Sequence, residues 1–247
     1  MTQHWIETGE SPHPYEREAL AWVRSWFPEN EPWRAFARFS FLASDGRDYE
    51  IDLLIAGPTG CFIIEIKGHE GVISGSSLEL VASSGSRKQC FDHPGRQLKP
   101  KMDKFIRALQ DTKPYRGKKE RPPFIENLVF FSHADALQIS GANTGVLLRD
   151  RDGVPGLEAA IRRRQAPWMK RLEEDERRID KPAARHLTNA ILEVAHFGTR
   201  QPIIAGSWKL DPNPIEETTI WRDYEASHRE TNDGPSGFRV GESWPVC

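Results

Sequence analysis

Asp52, Glu65 and Lys67 sit inside two short apolar runs, Ile51-Asp52-Leu53-Leu54-Ile55 and Cys61-Phe62-Ile63-Ile64-Glu65-Ile66-Lys67. Runs this apolar read as strands buried on both faces, where a carboxylate is strongly disfavoured unless it is paired, protonated or bound to a cation. Between them Ala56-Gly57-Pro58-Thr59-Gly60 is a turn signal, with Pro58 suited to the second position of a type I turn, so the runs are expected to form a hairpin. With the turn centred on Pro58-Thr59, facing residues have numbers summing to 117. Asp52 then lies opposite Glu65, with β-carbons roughly 4.5 to 5.5 Å apart, and Lys67 shares the face of Glu65. Two facing carboxylates repel and one lysine balances half of the pair, which makes a divalent cation the natural third partner. An edge hairpin whose charged side chains all reach water fits the same spacing.

The three residues and their surroundings, Glu50-Ile51-Asp52-Leu53-Leu54, Gly60 to Lys67 and Gly71-Val72-Ile73-Ser74-Gly75, resemble the NERD (nuclease-related) domain of the PD-(D/E)XK nuclease superfamily. That family carries a Glu on its first helix, matched by Glu16 in His13-Pro14-Tyr15-Glu16-Arg17, and a Gln opening a later helix, matched by Gln97 in His93-Pro94-Gly95-Arg96-Gln97. The resemblance is good from about residue 12 to 110. It implies a restriction-endonuclease-like core, Mg²⁺ or Mn²⁺ held by Asp52 and Glu65, and catalysis by Asp52, Glu65, Lys67, Gln97 and Glu16. The reaction implied is metal-dependent hydrolysis of DNA phosphodiesters, with RNA an open alternative. Lys67 would orient the attacking water, act as base if its pKa is lowered, or stabilise the pentavalent transition state. Many family members have Gln where this chain has Glu50, and Glu50, on the same strand face as Asp52, is a candidate extra carboxylate.

A second, weaker likeness concerns Trp221-Arg222-Asp223-Tyr224-Glu225-Ala226-Ser227-His228, which is similar to the linker following the NERD domain in large serine/threonine kinases of phage-exclusion islands such as the BREX type. It implies phage defence and a kinase or other defence-system partner. No Gly-rich phosphate loop followed by a strand Lys occurs in these residues. A non-catalytic nucleic-acid-sensing module that regulates a kinase, and an interaction domain that docks a partner, are the competing readings.

The charge pattern bears on the partner. Net charge is −2, which argues against a protein that binds polyanions over its whole surface. Yet Arg96 to Arg121 holds ten Lys or Arg against three acids, and Arg162, Arg163, Arg164, Lys170 and Arg171 form a second cluster. Arg96, Lys99, Lys101 and Lys104 are the candidate nucleic-acid contacts, since such blocks meet phosphates, although charge runs are also simply solvated faces. Cys61, Cys90 and Cys247 are an odd number without metal-ligand spacing, as in reduced thiols of a cytoplasmic protein. The N-terminus lacks an apolar signal region, and no run approaches the ~18 apolar residues of a membrane helix.

The elements that must position the site follow from periodicity. Pro14 to Phe27 reads as an amphipathic helix with Tyr15, Ala19, Trp22, Val23 and Trp26 on one face and Glu16 at its edge. Trp33 to Leu42 reads as the strand entering the hairpin through the turn Ser44 to Asp48, with Val72-Ile73 and Leu78 to Val81 as further short strands. Asp92, as cap, opens a helix to Gln110. Asn127 to Phe131 and Gly145 to Leu148 are strand candidates, and Pro167 to Ile179 and Pro182 to Phe197 read as helices. The whole predicts an α/β core over 1–150 (helix, three-stranded meander, helix, further strands), a helical extension and linker over 151–227, and a flexible tail over 228–247.

Overall fold

The computed structural model describes residues 4–7, 11–118, 120–140, 145–152, 154–163 and 179–196, and the backbone of strands at 203–205, 208–217, 221–228 and 236–241. The chain divides into two compact units, 1–197 and 198–247.

The first unit opens with β1 (Trp5–Glu7) and α1 (Pro14–Trp26). Pro14 supplies the preset φ of a first helical turn, and Phe27, held extended by Pro28, ends the helix. The meander β2 (Arg34–Leu42), β3 (Asp48–Gly57) and β4 (Gly60–Gly75) follows. The expected strand at Val72-Ile73 is the far end of β4, which runs for 16 residues. β5 (Glu79–Ser84) pairs with β6 (Arg87–Asp92), an edge strand the periodicity did not announce because nearly all of its residues are exposed.

Asp92 pairs with Glu79 in that hairpin, so the cap of α2 (Pro94–Gln110) is His93 instead, whose Nδ1 accepts the Gly95 amide at 3.0 Å. The expected Asn127 strand widens to β7 (Ile125–Ile139), and β8 (Val146–Leu147) pairs beside it in parallel. α3 (Leu157–Arg163), α4 (Lys181–Val194) and β9 (Ala195–His196) complete the unit.

The sheet order is β1-β2-β3-β4-β5-β6, with β7 parallel to β4, β8 beside β7, and β9 on β2. Helices cover both faces. Ala19, Leu20 and Val23 of α1 and Leu157, Ala160 and Ile161 of α3 pack on Leu53, Ile55, Phe62, Ile64 and Ile66. On the other face Leu98, Phe105 and Leu109 of α2 and Leu187 and Ile191 of α4 pack on Phe36, Phe41, Leu54 and Ile63. A sheet buried on both sides explains why the β3 and β4 sequences are almost continuously apolar.

Beyond residue 150 the first unit carries the helices α3 and α4, while 167–178 of the expected Pro167 helix lie outside the described residues. The second unit differs from it. Four strands, β10 (Ile203–Ala205), β11 (Trp208–Glu217), β12 (Trp221–His228) and β13 (Ser236–Gly241), form an antiparallel sheet in that order. Within the stretch read as linker and tail, the described residues 203–205, 208–217, 221–228 and 236–241 are strands. Their polar, charge-interrupted sequences carry little apolar alternation, so pairing with a neighbour decides their conformation.

Candidate active site

The β3–β4 hairpin adopts the register its turn implies. Leu53 pairs with Ile64 and Gly57 with Gly60 across a Pro58-Thr59 loop, and Thr59 Oγ1 donates to the Ile161 carbonyl at 2.5 Å. The ladder stops at Leu53. Beyond it the Ile66 amide donates to Asp52 Oδ2 at 2.8 Å, so a side chain replaces the next backbone partner. β4 runs on against β7, and β5 joins its other edge only from Val72. The sheet thus forks between β3 and β5, and Asp52, Glu65 and Lys67 stand at the fork.

Both oxygens of Glu65 are engaged: Lys67 Nζ lies 3.0 Å from Oε1 and Lys101 Nζ, from α2, 2.9 Å from Oε2. Burial works to raise the Glu65 carboxyl, but Lys101 and then Lys67 outweigh it and hold it below the usual range. At Asp52 the same two lysines pull downward but do not prevail. Burial first, and then the Glu65 charge, pushes its carboxyl up to about 7. Burial opposes the charge on Lys67, yet Glu65 and Asp52 prevail and raise its pKa, keeping it an ammonium.

Glu16 is buried where α1 begins. Ser11 Oγ donates to its Oε2 at 2.7 Å, while Arg38 Nε approaches Oε1 at 3.6 Å without a hydrogen bond. Its charge contributes to the rise at Asp52, which puts it in the same electrostatic neighbourhood.

The comparisons with known proteins bear on what such a fork is. Residues 11–132 match the nuclease-related domain family, NERD, a span that takes in all of these residues. This segment is a NERD domain. Over 238 residues the chain is also 24% identical to a "Probable kinase PglW" of Streptomyces coelicolor, covering 96% of this chain but 14% of that protein. No solved structure matches the chain.

Other predicted residues are distributed unevenly around the NERD fork. Gln97 is exposed and lies one helical turn before Lys101 on α2, hence on the helix face that reaches Glu65. Of the four expected nucleic-acid contacts, Arg96 and Lys99 are exposed. Lys101 is paired with Glu65 at 2.9 Å, and Lys104 is tied to Asp45 at 2.6 Å and to Tyr49. His69 stacks on Phe91, with ring centroids 4.3 Å apart. Glu50 pairs with Ser40 further along β3. There strand parity fails: Ile51 packs with Leu54 on the α2 side while Leu53 faces α1, so alternation no longer ties Glu50 to the face of Asp52.

Sequence reasoning missed two neighbours. Arg38 falls opposite Asp52, between the pairs Ala37–Leu53 and Phe39–Ile51. The signal was present: apolar residues at 35, 36, 37, 39 and 41 break strict alternation just there. Tyr15 was assigned to the α1 stripe, and its ring presses on Gly68, where an added Cβ would lie 2.3 Å from it. Gly68→Ala is accordingly expected to displace the start of α1 and Glu16 with it. Denaturant unfolding should show a loss of about 1–3 kcal/mol, as for other overpacked sites, and a wild-type midpoint would refute that account.

Among the described residues no three His, Cys, Asp or Glu side chains form a ready metal cage. The donor set still fits a hard divalent cation, which takes one or two carboxylates and completes its shell with water and phosphate oxygens. The high Asp52 pKa, set by burial first and then by the Glu65 charge, marks a carboxylate that a cation would favour.

Proposed function

We propose that this NERD domain hydrolyses nucleic-acid phosphodiesters, with DNA the first candidate substrate, using Mg²⁺ or Mn²⁺ held by Asp52 and Glu65. The observation that carries the reading is the fork itself: Asp52, held by the Ile66 amide where the β3–β4 ladder ends, and on β4 a glutamate that two lysines neutralise, Lys67 at 3.0 Å and Lys101 at 2.9 Å. Bound there, the cation would activate a water and stabilise charge developing on phosphorus.

The chain's own residues then divide the work. Glu65 would help to hold the cation, and Lys67 or Lys101, now paired with its carboxylate, would then be free to meet the phosphate. Lys67, kept protonated by Glu65 and Asp52, favours transition-state stabilisation over general-base catalysis. Glu16 and Gln97 flank the cleft from α1 and α2 and position water or phosphate. Arg96 and Lys99 meet the backbone of the nucleic acid further out. Neutralising both should weaken duplex binding and flatten the slope of log K against log salt by up to about 2; an unchanged slope places the binding surface elsewhere.

Because the relative is named a probable kinase and this chain spans 14% of it, the proposed setting is a cytoplasmic phage-defence system in which this domain works with a kinase. Among the described residues no helix is long and apolar enough to cross a membrane. One observation favours the non-catalytic sensing reading: both Glu65 oxygens are already satisfied by ammonium groups. Incubating the purified protein with plasmid, linear DNA and RNA, with Mg²⁺ or Mn²⁺ and with chelator, separates the two. Metal-dependent cleavage supports hydrolysis, and binding without cleavage supports sensing.

A further inference from the structure

Arg38 is the one non-glycine among the described residues with a left-handed backbone, φ +54°, in the middle of a strand. L-residues other than Gly, Asn and Asp seldom adopt that conformation because Cβ crowds the following carbonyl. The local gain that would offset it is missing. Its side chain is only 14% exposed, and Nε and Nη1 are buried without a hydrogen-bond partner. Facing them, Glu16 Oε1 is equally buried and forms an ion pair with Nε at 3.6 Å, but accepts no hydrogen bond. Three buried polar atoms without hydrogen bonds so meet where α1 passes the middle of β2, in a protein whose buried polar groups should nearly all be paired.

The conformation has a consequence for direction. Ala35 and Ala37 face α1, whereas Phe36 before the break and Phe39 and Phe41 after it all face α2. The break at Arg38 resets the alternation of β2: its backbone lies opposite that of Asp52, and its guanidinium lies beside Glu16.

We propose that Arg38 is a phosphate-binding residue of this site, its guanidinium receiving the non-bridging oxygens of the substrate phosphate next to Asp52, with Glu16 steadying the Nε edge. The inference rests on the nucleic-acid reading above. A planar donor fork matches a phosphate by paired hydrogen bonds, which a lysine at the same place would not reproduce. The phosphate would enter where the side chain keeps its 14% exposure, while the backbone conformation fixes the direction of the guanidinium.

Arg38→Gly tests this cleanly, because glycine accepts φ +54° freely. The variant should melt no lower than wild type, yet bind a fluorescein-labelled short DNA duplex, in chelator, about 10- to 100-fold more weakly. Its slope of log K against log salt should shrink by about 0.9, one phosphate contact. Arg38→Lys should keep most of the slope and recover part of the affinity. Wild-type affinity and slope in Arg38→Gly, or a lowered melting midpoint, would overturn the assignment, the latter by showing that Arg38 braces the fold. A wild type that binds the duplex but never cleaves it retires hydrolysis and leaves Arg38 standing; one that binds no nucleic acid overturns both.

Discussion

Asp52→Asn and Lys67→Ala should each lower metal-dependent cleavage by at least about 100-fold, the size commonly seen when a metal ligand or a charge-stabilising group is lost. The fold should survive both. Asparagine can still accept the Ile66 amide that Asp52 now takes at 2.8 Å. Removing Lys67 leaves Glu65 its second partner, Lys101, at 2.9 Å. Rates measured under single-turnover conditions, beside unfolding midpoints, check the prediction. Retained activity in both variants refutes the catalytic assignment, and activity lost together with stability refutes the claim that these residues act in the chemistry alone.

Asp52 should also weaken the metal-free protein in a pH-dependent way. Its carboxyl is raised from 3.8 to about 7 in the folded state, so the native protein holds a proton there that the unfolded chain has released. The sign follows: stability contributed by protonated Asp52 is present below about pH 4 and is lost as pH rises through about 7. The full loss is on the order of 2–4 kcal/mol once partial solvent access to Asp52 is allowed for. Asp52→Asn lacks this titration. The variant should therefore match wild type near pH 4 and exceed it near pH 8 in the presence of chelator. Mn²⁺ at about 100 times its dissociation constant should restore about 2.7 kcal/mol to wild type and nothing to the variant. Denaturant titrations at the two pH values, with metal and with chelator, decide it; equal stabilities at pH 8 would mean that Asp52 is not confined as described.

Much of this was legible in the residues. The turn at Pro58-Thr59 dictates the hairpin register, and charges within apolar runs single out Asp52, Glu65 and Lys67. α1 declared itself through its apolar stripe and Pro14. What stayed hidden depends on contacts distant in sequence. Lys101 looked like one more member of a basic run, and only the docking of α2 against β4 shows that it neutralises Glu65. β6 is too polar to signal a strand and exists because β5 offers it an edge. The strands from 203 to 241 likewise take their conformation from one another.

The parallel pairing of β4 with β7 has a kinetic corollary. The two strands are separated in the chain by β5, β6 and α2, so their contact closes a long loop and forms late compared with the local β3–β4 hairpin. During that interval Asp52 and Glu65 are bathed in water, where neighbouring like charges interact weakly. Their antagonism emerges only when α2 docks and dries the fork, and Lys101 arrives on the same helix. The nascent hairpin thus escapes the very repulsion that the mature site retains, and the helix that dries the fork brings the counter-charge with it.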